Sequence, residues 1–517
     1  MTHSRHLFAR HLFARSLHAR LSVLAVVLCL GACTTVTNPV TGERELSVMD
    51  EKAEVAEGRK AHAGVLQEYG AVKDARLQAY VNDLGQRLAR ESHRANLAWT
   101  FTVLDSPDIN AFALPGGYVY VTRGIMATMD SEADLAGVIG HEIGHVTARH
   151  GAQRATRQQT AGLGVLAASV LGAVAEAYGV GGATQLAGQA AQGVAAGYIA
   201  SYGRDQELQA DQLGAEYLVR NHYDPKNMVD VIGVLKMQET FAADQARAAG
   251  RPPRQGGDWL ASHPSNEQRL ASIRGIAAGY PSPPGAYADD GRVRYLKAIS
   301  GMVYGDSAEQ GVVRGQNFYH AGLGLALTAP PGWRVQNGQE AVMLVNPAGD
   351  AALVVKAVPA KAGATQEEIL KNLIKPSQGR VEKRSVNGLA ATHFNGQRQN
   401  PQGQAQTVQA TVVSGPLGGN FLMLYAAKDA AARGRSLPQL REAEASFRPL
   451  SAADRKAAEP WVIQTAAYPR GGFAELARRS PLAADKSADK AEQQLRLLNG
   501  VYGGGEPKPG QLVKVVQ

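Results

Sequence analysis

The chain has 517 residues, 44% of them hydrophobic, and Lys plus Arg exceed Asp plus Glu by 54 to 46. That length allows two to four domains and a large core. The formal net charge of +8 falls by the four arginines of an N-terminal targeting segment (8 − 4) to +4, too mild for this size to argue for nucleic acid as a partner.

Residues 1–32 read as a signal peptide. Arg5, Arg10, Arg15 and Arg20 make a basic start, partly through a direct repeat of Arg-His-Leu-Phe-Ala, and an apolar run from Leu21 to Leu30 follows. The run is too short for a transmembrane anchor. Leu30-Gly31-Ala32-Cys33 resembles a bacterial lipobox, which implies cleavage before Cys33 and lipidation of its sulfur; Thr34 in place of Asp implies the periplasmic side of the outer membrane as destination. Cys29 is the only other cysteine and lies in the removed segment, so the mature chain is expected to contain no disulfide.

Residues 33–48 are expected to be a polar, lipid-anchored tether, with turn signals at Asn38-Pro39 and Thr41-Gly42. Helices are expected over Asp50–Tyr69 and Asp74–Arg90. Leu97 to Leu104 alternates with period two like a strand, and Asn110 to Thr122 reads as a strand, a Pro-Gly-Gly turn and a second strand. The next helix starts at Ser131, where Asp134 completes a capping-box pattern, and runs into His141-Glu142-Ile143-Gly144-His145. On a helix, residues four apart share a face, so both imidazoles can converge on one ion while Glu142 reaches the water that the ion polarises. Gly140 and Gly144 weaken the helix, which implies close backbone approach, either for packing or for room at the metal.

Residues 161–200, rich in Ala, Gly, Val and Leu, are dilute in large apolar side chains and read as a helical hairpin closing over the site rather than a membrane span. Amphipathic helices are expected over 201–221, 225–249 and 266–279, with a Pro/Gly-rich loop at 250–258. Pro281 to Gly285 looks like a domain boundary, and 281–314 like a linker. Strand-like alternation then marks an α+β accessory domain over 315–450, with helices near Glu367–Leu373 and Ser436–Phe447. A small unit over 451–517 ends the chain. The fold class is thus α+β, led by a mainly α-helical metalloprotease domain over 49–280 that carries a small edge-strand sheet.

A catalytic zinc keeps three protein ligands and an open position. Glu207 and Asp211 share the face of a later helix, so Glu207 can complete the ligand set while Asp211 orients a ligand histidine. His263, in Ser262-His263-Pro264, has two open roles: a hydrogen bond to the oxyanion of the transition state, or zinc's fourth position in a latent enzyme. Arg269 is a candidate for orienting the site or the substrate. His150 falls out of phase with His141 on a continuous helix, which leaves it a surface or supporting role.

Four strings in this order, Asn110–Gly124, His141–His145, Glu207–Asp211 and His263-Pro264, resemble the gluzincin metallopeptidases of the HtpX and CAAX prenyl endopeptidase type, nearest their periplasmic BepA/LoiP-like branch. The resemblance spans about Asn38 to Tyr280. It implies one Zn2+ per chain on His141, His145 and Glu207, with Glu142 as general base. It also implies that Asn110, Ala111, Phe112, Ala113, Pro115, Gly116 and Gly117 present an edge strand to an extended peptide, which suits broad sequence tolerance. The substrates implied are unfolded or misassembled envelope proteins. The rival readings are a chaperone-like or a cell-wall-binding lipoprotein that uses the protease fold as a scaffold. The C-terminal unit resembles a degenerate LysM-like module through Asn499-Gly500 and Pro509-Gly510-Gln511-Leu512, implying peptidoglycan contact, although Arg470-Gly471-Gly472-Phe473 stands where the usual Gly-Asp-Thr start belongs.

Overall fold

The computed structural model describes residues 34–159, 202–248, 250, 263, 267–281, 283, 285–338, 341–399, 403–485 and 487–517. The signal peptide, Cys33, the hairpin expected over 161–200 and most of the loop before His263 lie outside the described residues.

The tether expected over 33–48 is, from Thr34 onward, a folded hairpin. Strand β1 (Thr34–Thr37) pairs antiparallel with β2 (Arg44–Ser47). The Asn38 carbonyl oxygen accepts from the backbone of Val40 and Thr41, while its amide donates to Ala148 O at 3.3 Å. A local Asx-type turn thus doubles as an anchor on the end of the metal helix.

Helices α1 (Glu51–Tyr69) and α2 (Ala75–Arg90) start where the sequence places them, because Asp50 and Asp74 accept first-turn amide hydrogen bonds. The apolar positions Leu77, Val81, Leu84 and Leu88 recur at helical spacing and are all buried. A three-stranded sheet follows, with β3 (Thr100–Leu104), β4 (Ala111–Leu114) and β5 (Tyr118–Thr122) in the order β3-β5-β4. β5 runs parallel to β3 and antiparallel to β4, so among the described residues β4 is an edge. The expected strand at Leu97 starts at Thr100 instead.

After the short α3 (Arg123–Thr128), the helix α4 (Glu132–Thr147) carries the His-Glu-x-x-His motif, and all its residues are buried. Ser131 caps it by accepting from Asp134 N, but Asp134 accepts from Asp130 N, so the reciprocal bond of a capping box is not the one made. α5 (Arg204–Arg220) lies against α4, and the glycines set how closely. A methyl group on Gly144 would stand 3.0 Å from Ala210 O, and one on Gly214 would stand 3.1 Å from His141 N. Backbone packing is thus one reason that this helix keeps its glycines. Helices α6 (Asn227–Ala248) and α7 (Glu267–Ala278) complete the bundle around the site.

The expected linker over 281–314 is instead partly core. It holds α8 (Arg292–Ile299), whose Tyr295, Leu296 and Ile299 are buried in the same apolar cluster as Leu135 and Val138 of α4, and β6 (Val303–Tyr304). The separate unit expected over 451–517 shares that core as well. β18 (Trp461–Ala467) pairs with β19 (Leu512–Val516) on one side and with β6 on the other, and helices lie between the two strands in sequence. Ile463, Phe473, Leu495 and Val513 pack into the same apolar cluster as Leu135 and Val138 of α4. Composition marked a boundary here because β6 and its partner β18 lie more than 150 residues apart, beyond the reach of any local pattern.

The accessory region is α+β, as expected. It pairs a four-stranded sheet, ordered β17 (Arg448–Pro449), β9 (Leu325–Thr328), β8 (Asn317–His320), β7 (Val312–Arg314), with a seven-stranded one, ordered β10 (Arg334–Asn337), β11 (Val342–Val345), β12 (Ala351–Ala357), β16 (Asn420–Ala427), β15 (Ala405–Ser414), β14 (Leu389–Gln399), β13 (Pro376–Val386). Their shared core includes Phe318, Leu327, Leu353, Phe421 and Phe447. The long hairpin of β13 (Pro376–Val386) and β14 (Leu389–Gln399) has no counterpart in the sequence reading. β13 is exposed along almost its whole length, so it carries no apolar alternation to read.

Candidate active site

α4, α5 and the loop leading into α7 bring four potential ligands together. One nitrogen or oxygen from each of His141, His145, Glu207 and His263 lies within 4.8 Å of every other, and all four residues are buried. Nε2 of His141 and Nε2 of His145 are 3.0 Å apart, and Glu207 carboxylate oxygens stand 3.7 and 3.5 Å from them respectively.

The far nitrogens decide which ring atoms have lone pairs to offer. His141 Nδ1 donates to Asp211 Oδ1 at 2.9 Å, leaving Nε2 unprotonated and aimed at the cluster. His145 Nδ1 faces His150 Nδ1 at 2.9 Å, and His150 Nε2 faces Gln209 Oε1 at 2.9 Å. Gln209 Oε1 can only accept, so His150 donates to it through Nε2 and accepts from His145 through Nδ1. That chain likewise leaves His145 Nε2 as a lone pair. Two imidazole lone pairs crowded at 3.0 Å beside a buried carboxylate form a donor set that a divalent cation satisfies and that fits zinc.

Burial pushes the His150 pKa down to about 4, so this relay stays neutral. Burial and the neighbouring histidines hold His145 well below its ordinary value. Burial raises the Glu207 carboxyl, but His263, His141 and Arg269 outweigh it and leave a net lowering. Asp211 behaves in the same way, held ionised chiefly by Arg269 against its burial. For His263 burial acts downward, and the charges of Glu207 and Glu142 overcome it.

Arg269 ties these pieces together. Nε and Nη2 each donate to Asp211 at 2.7 Å, and Nη1 reaches His263 O and Glu207 Oε2, both at 3.0 Å. His263 Nδ1 lies 3.0 Å from Glu207 and its Nε2 lies 3.6 Å from Glu142 Oε1. The histidine therefore stands between the ligand carboxylate and the candidate base.

His150 shows why the phase argument fell short of its place. α4 stops at Thr147, and Arg149 adopts φ 60°, a left-handed conformation that a non-glycine residue takes only when held there. Arg149 is held by Glu54 at 2.7 Å and Met49 O at 2.6 Å. The helical stretch 150–159 restarts from a new direction, and His150 swings back under His145. His150 thus takes the supporting role expected of it, whereas Tyr202 is absent from the sequence reading. Its ring stacks on His145 with centroids 3.8 Å apart, and a tyrosine in an Ala/Gly-rich surround gave no motif to find.

A cleft of about 320 Å³ opens onto this centre between α1, β4 and the stretch 150–159, with Tyr202 and His263 in its lining. Asn110, Phe112, Ala113 and Pro115 line it, and the unpaired side of β4 faces away from β5. Ala111 instead buries its side chain in the core. Gly116 and Gly117 shape the turn, with φ of 82° and 98°, and do not line the cleft. A methyl group on Gly116 would stand 2.6 Å from Val55 Cα, so the turn is pressed against α1.

Residues 75–277, about two fifths of the chain, match the model of Peptidase family M48, and this stretch is similar to the metalloendopeptidases of that family. Its relatives include a beta-barrel assembly-enhancing protease of Yersinia pestis, 31% identical over 42% of this chain and 43% of the relative. The protein of that name in Escherichia coli K12 is 32% identical over 40% of each chain. Mitochondrial metalloendopeptidase OMA1 of Schizosaccharomyces pombe is 29% identical over 46% of this chain and 64% of the relative. The chain thus spans about two fifths of the length of the bacterial relatives. Among solved structures, cyanobacterial PsbP of Synechocystis covers 28% of this chain at 14% identity with a TM-score of 0.20, which supports no conclusion about the fold.

Proposed function

We propose that the chain, with its M48 peptidase domain, is a zinc-dependent endopeptidase of the bacterial envelope that cuts unfolded or misassembled proteins. The observation that carries this reading is the convergence of His141 Nε2, His145 Nε2 and Glu207, with each imidazole's far nitrogen already committed to a partner. Zinc held there would acidify a water molecule and polarise a peptide carbonyl. Glu142 would accept a proton from the attacking water and hand it to the departing amine, a role that its place beside the cluster supports. Asp211 and Arg269 position His141, Glu207 and the His263 loop. His263 serves the oxyanion or closes the resting site. The edge of β4 that is unpaired among the described residues, through the outward backbone groups of Ala111 and Ala113, would receive an extended chain whatever its sequence.

The quality-control setting is supported by the names of the bacterial relatives, and the lipid anchor on Cys33 by the lipobox. Glycan contact by the C-terminal strands is supported by the weak sequence resemblance alone. The test compares metal content and cleavage of unfolded casein for wild type, Glu142→Gln, His141→Ala and His263→Ala. Glu142→Gln should retain zinc and lose roughly 10²–10⁴-fold in cleavage rate, the usual contribution of a general base, whereas His141→Ala should lose the metal. A casein-cleaving Glu142→Gln protein would refute the assignment. Faster cleavage by His263→Ala would identify a gate, and slower cleavage a transition-state donor.

A further inference from the structure

A second cavity, of about 440 Å³, lies between the end of α1 and the accessory domain. Its floor is apolar: Phe318, Leu325, Leu327, Val355 and Phe421, all nearly fully buried. Protein cores pack without voids of this size, and a space within the roughly 300–1,000 Å³ of ligand pockets, floored by apolar side chains under a polar rim, has the character of a binding site. The rim is already tied across the two domains through the segment between them: Lys73 Nζ meets Glu309 at 3.0 Å, Gln310 donates to Asp105 O, and Asn337 of the accessory domain donates to Gln310 O at 3.0 Å. The cavity therefore does not need to be formed by its occupant.

Its position identifies that occupant. Glu68 and Tyr69 line both this cavity and the cleft over the metal centre. The Tyr69 ring sits 6.0 Å from that of Phe112 on the edge strand β4. A chain lying along β4 and leaving past Phe112 would pass Tyr69, which lines the second cavity. We infer that the accessory domain is a substrate-binding part of the peptidase, and that its cavity holds a bulky apolar side chain of the polypeptide being cut, several residues from the scissile bond. The inference rests on the peptidase reading above. It gives that reading a substrate class: extended chains long enough to span both cavities and exposing large apolar residues, as unfolded proteins do and short peptides do not.

Ala71 and Ala357 line the cavity from opposite domains, and both are exposed, so a larger side chain at either position fills the space without entering a core. The experiment uses the full chain loaded with zinc, an internally quenched hexapeptide library and unfolded casein, for wild type, Ala71→Trp and Ala357→Trp. In both variants KM for casein should rise roughly tenfold, as expected from losing one buried apolar side chain, while kcat and hexapeptide turnover stay at wild-type values. An unchanged casein KM, or an equal fall in hexapeptide turnover, would overturn the inference. If wild type cleaves neither substrate, the peptidase reading fails and this one with it; hexapeptide cleavage with no casein effect of the variants removes this inference alone.

Discussion

Each imidazole of the metal cluster is set by what its far nitrogen touches, and those contacts give the most direct predictions at the scale of single residues. Asp211→Asn keeps the shape of the side chain but leaves His141 Nδ1 and Arg269 competing for one neutral acceptor. Zinc affinity should fall by roughly 10–100-fold, as measured by competition with a chromophoric chelator, while the fold is retained. Unchanged affinity would show that Asp211 does not orient the ligand. His141, Glu142 and His145 were legible because the motif is local, and Glu207 with Asp211 because both lie on one helix face. His150 was legible only as a residue out of phase. Its actual place depends on the left-handed Arg149, which is imposed by Glu54 and Met49 from the other side of the domain. No local signal carries that information.

Elements fit here through small residues and buried charges. Gly144→Ala would set a methyl group 3.0 Å from Ala210 O and 3.2 Å from Ala210 Cα, so α4 and α5 would have to separate. The expected cost is about 1–3 kcal/mol of overpacking, seen by chemical denaturation. Zinc affinity should fall too, because the two histidines stand on one helix and Glu207 on the other. A stable variant with wild-type affinity would contradict this account of the glycines. At the start of α4, burial, opposed by the Asn227 hydrogen bond and reinforced by the charge of Asp130, raises the Asp134 carboxyl to about 6. A folded value above the ordinary 3.8 means that the proton is bound more tightly in the native state. The resulting stabilisation is complete below about pH 4 and is lost as pH rises through 6, a change of the order of 3 kcal/mol. Asp134→Asn should remove that component from the pH profile of unfolding of the metal-free protein; an identical profile in the variant would argue against it. The helix starts in this region were readable from Asp50, Asp74 and Ser131, since a cap lies beside the helix it starts.

For the whole molecule, the main surprise is how far the peptidase core extends. Lys514, three residues before Gln517 and fully buried, donates to Ala127 O at 2.9 Å and Met129 O at 2.7 Å and pairs with Asp130 at 3.0 Å. The last strand is thereby fastened to the loop that enters the metal helix. Removing residues 451–517 should unfold or strongly destabilise the peptidase, and Lys514→Met should cost about 1–3 kcal/mol by leaving buried carbonyls unpaired. A truncated chain with native zinc binding and thermal midpoint would restore the independent C-terminal unit that composition suggested. Such long-range sharing is invisible to periodicity, which explains why the elements were read more accurately than the domain boundaries. The central claim is that one divalent cation on α4 and α5, with Glu142 as base, makes the chain a peptidase. Its most direct test strips the metal with a chelator, then titrates zinc back into wild type and Glu142→Gln while following casein cleavage. Wild-type cleavage should vanish and return in full at one zinc per chain, with Glu142→Gln binding the same zinc and staying inactive. Cleavage that survives stripping, or that zinc restores equally in the variant, would contradict the account.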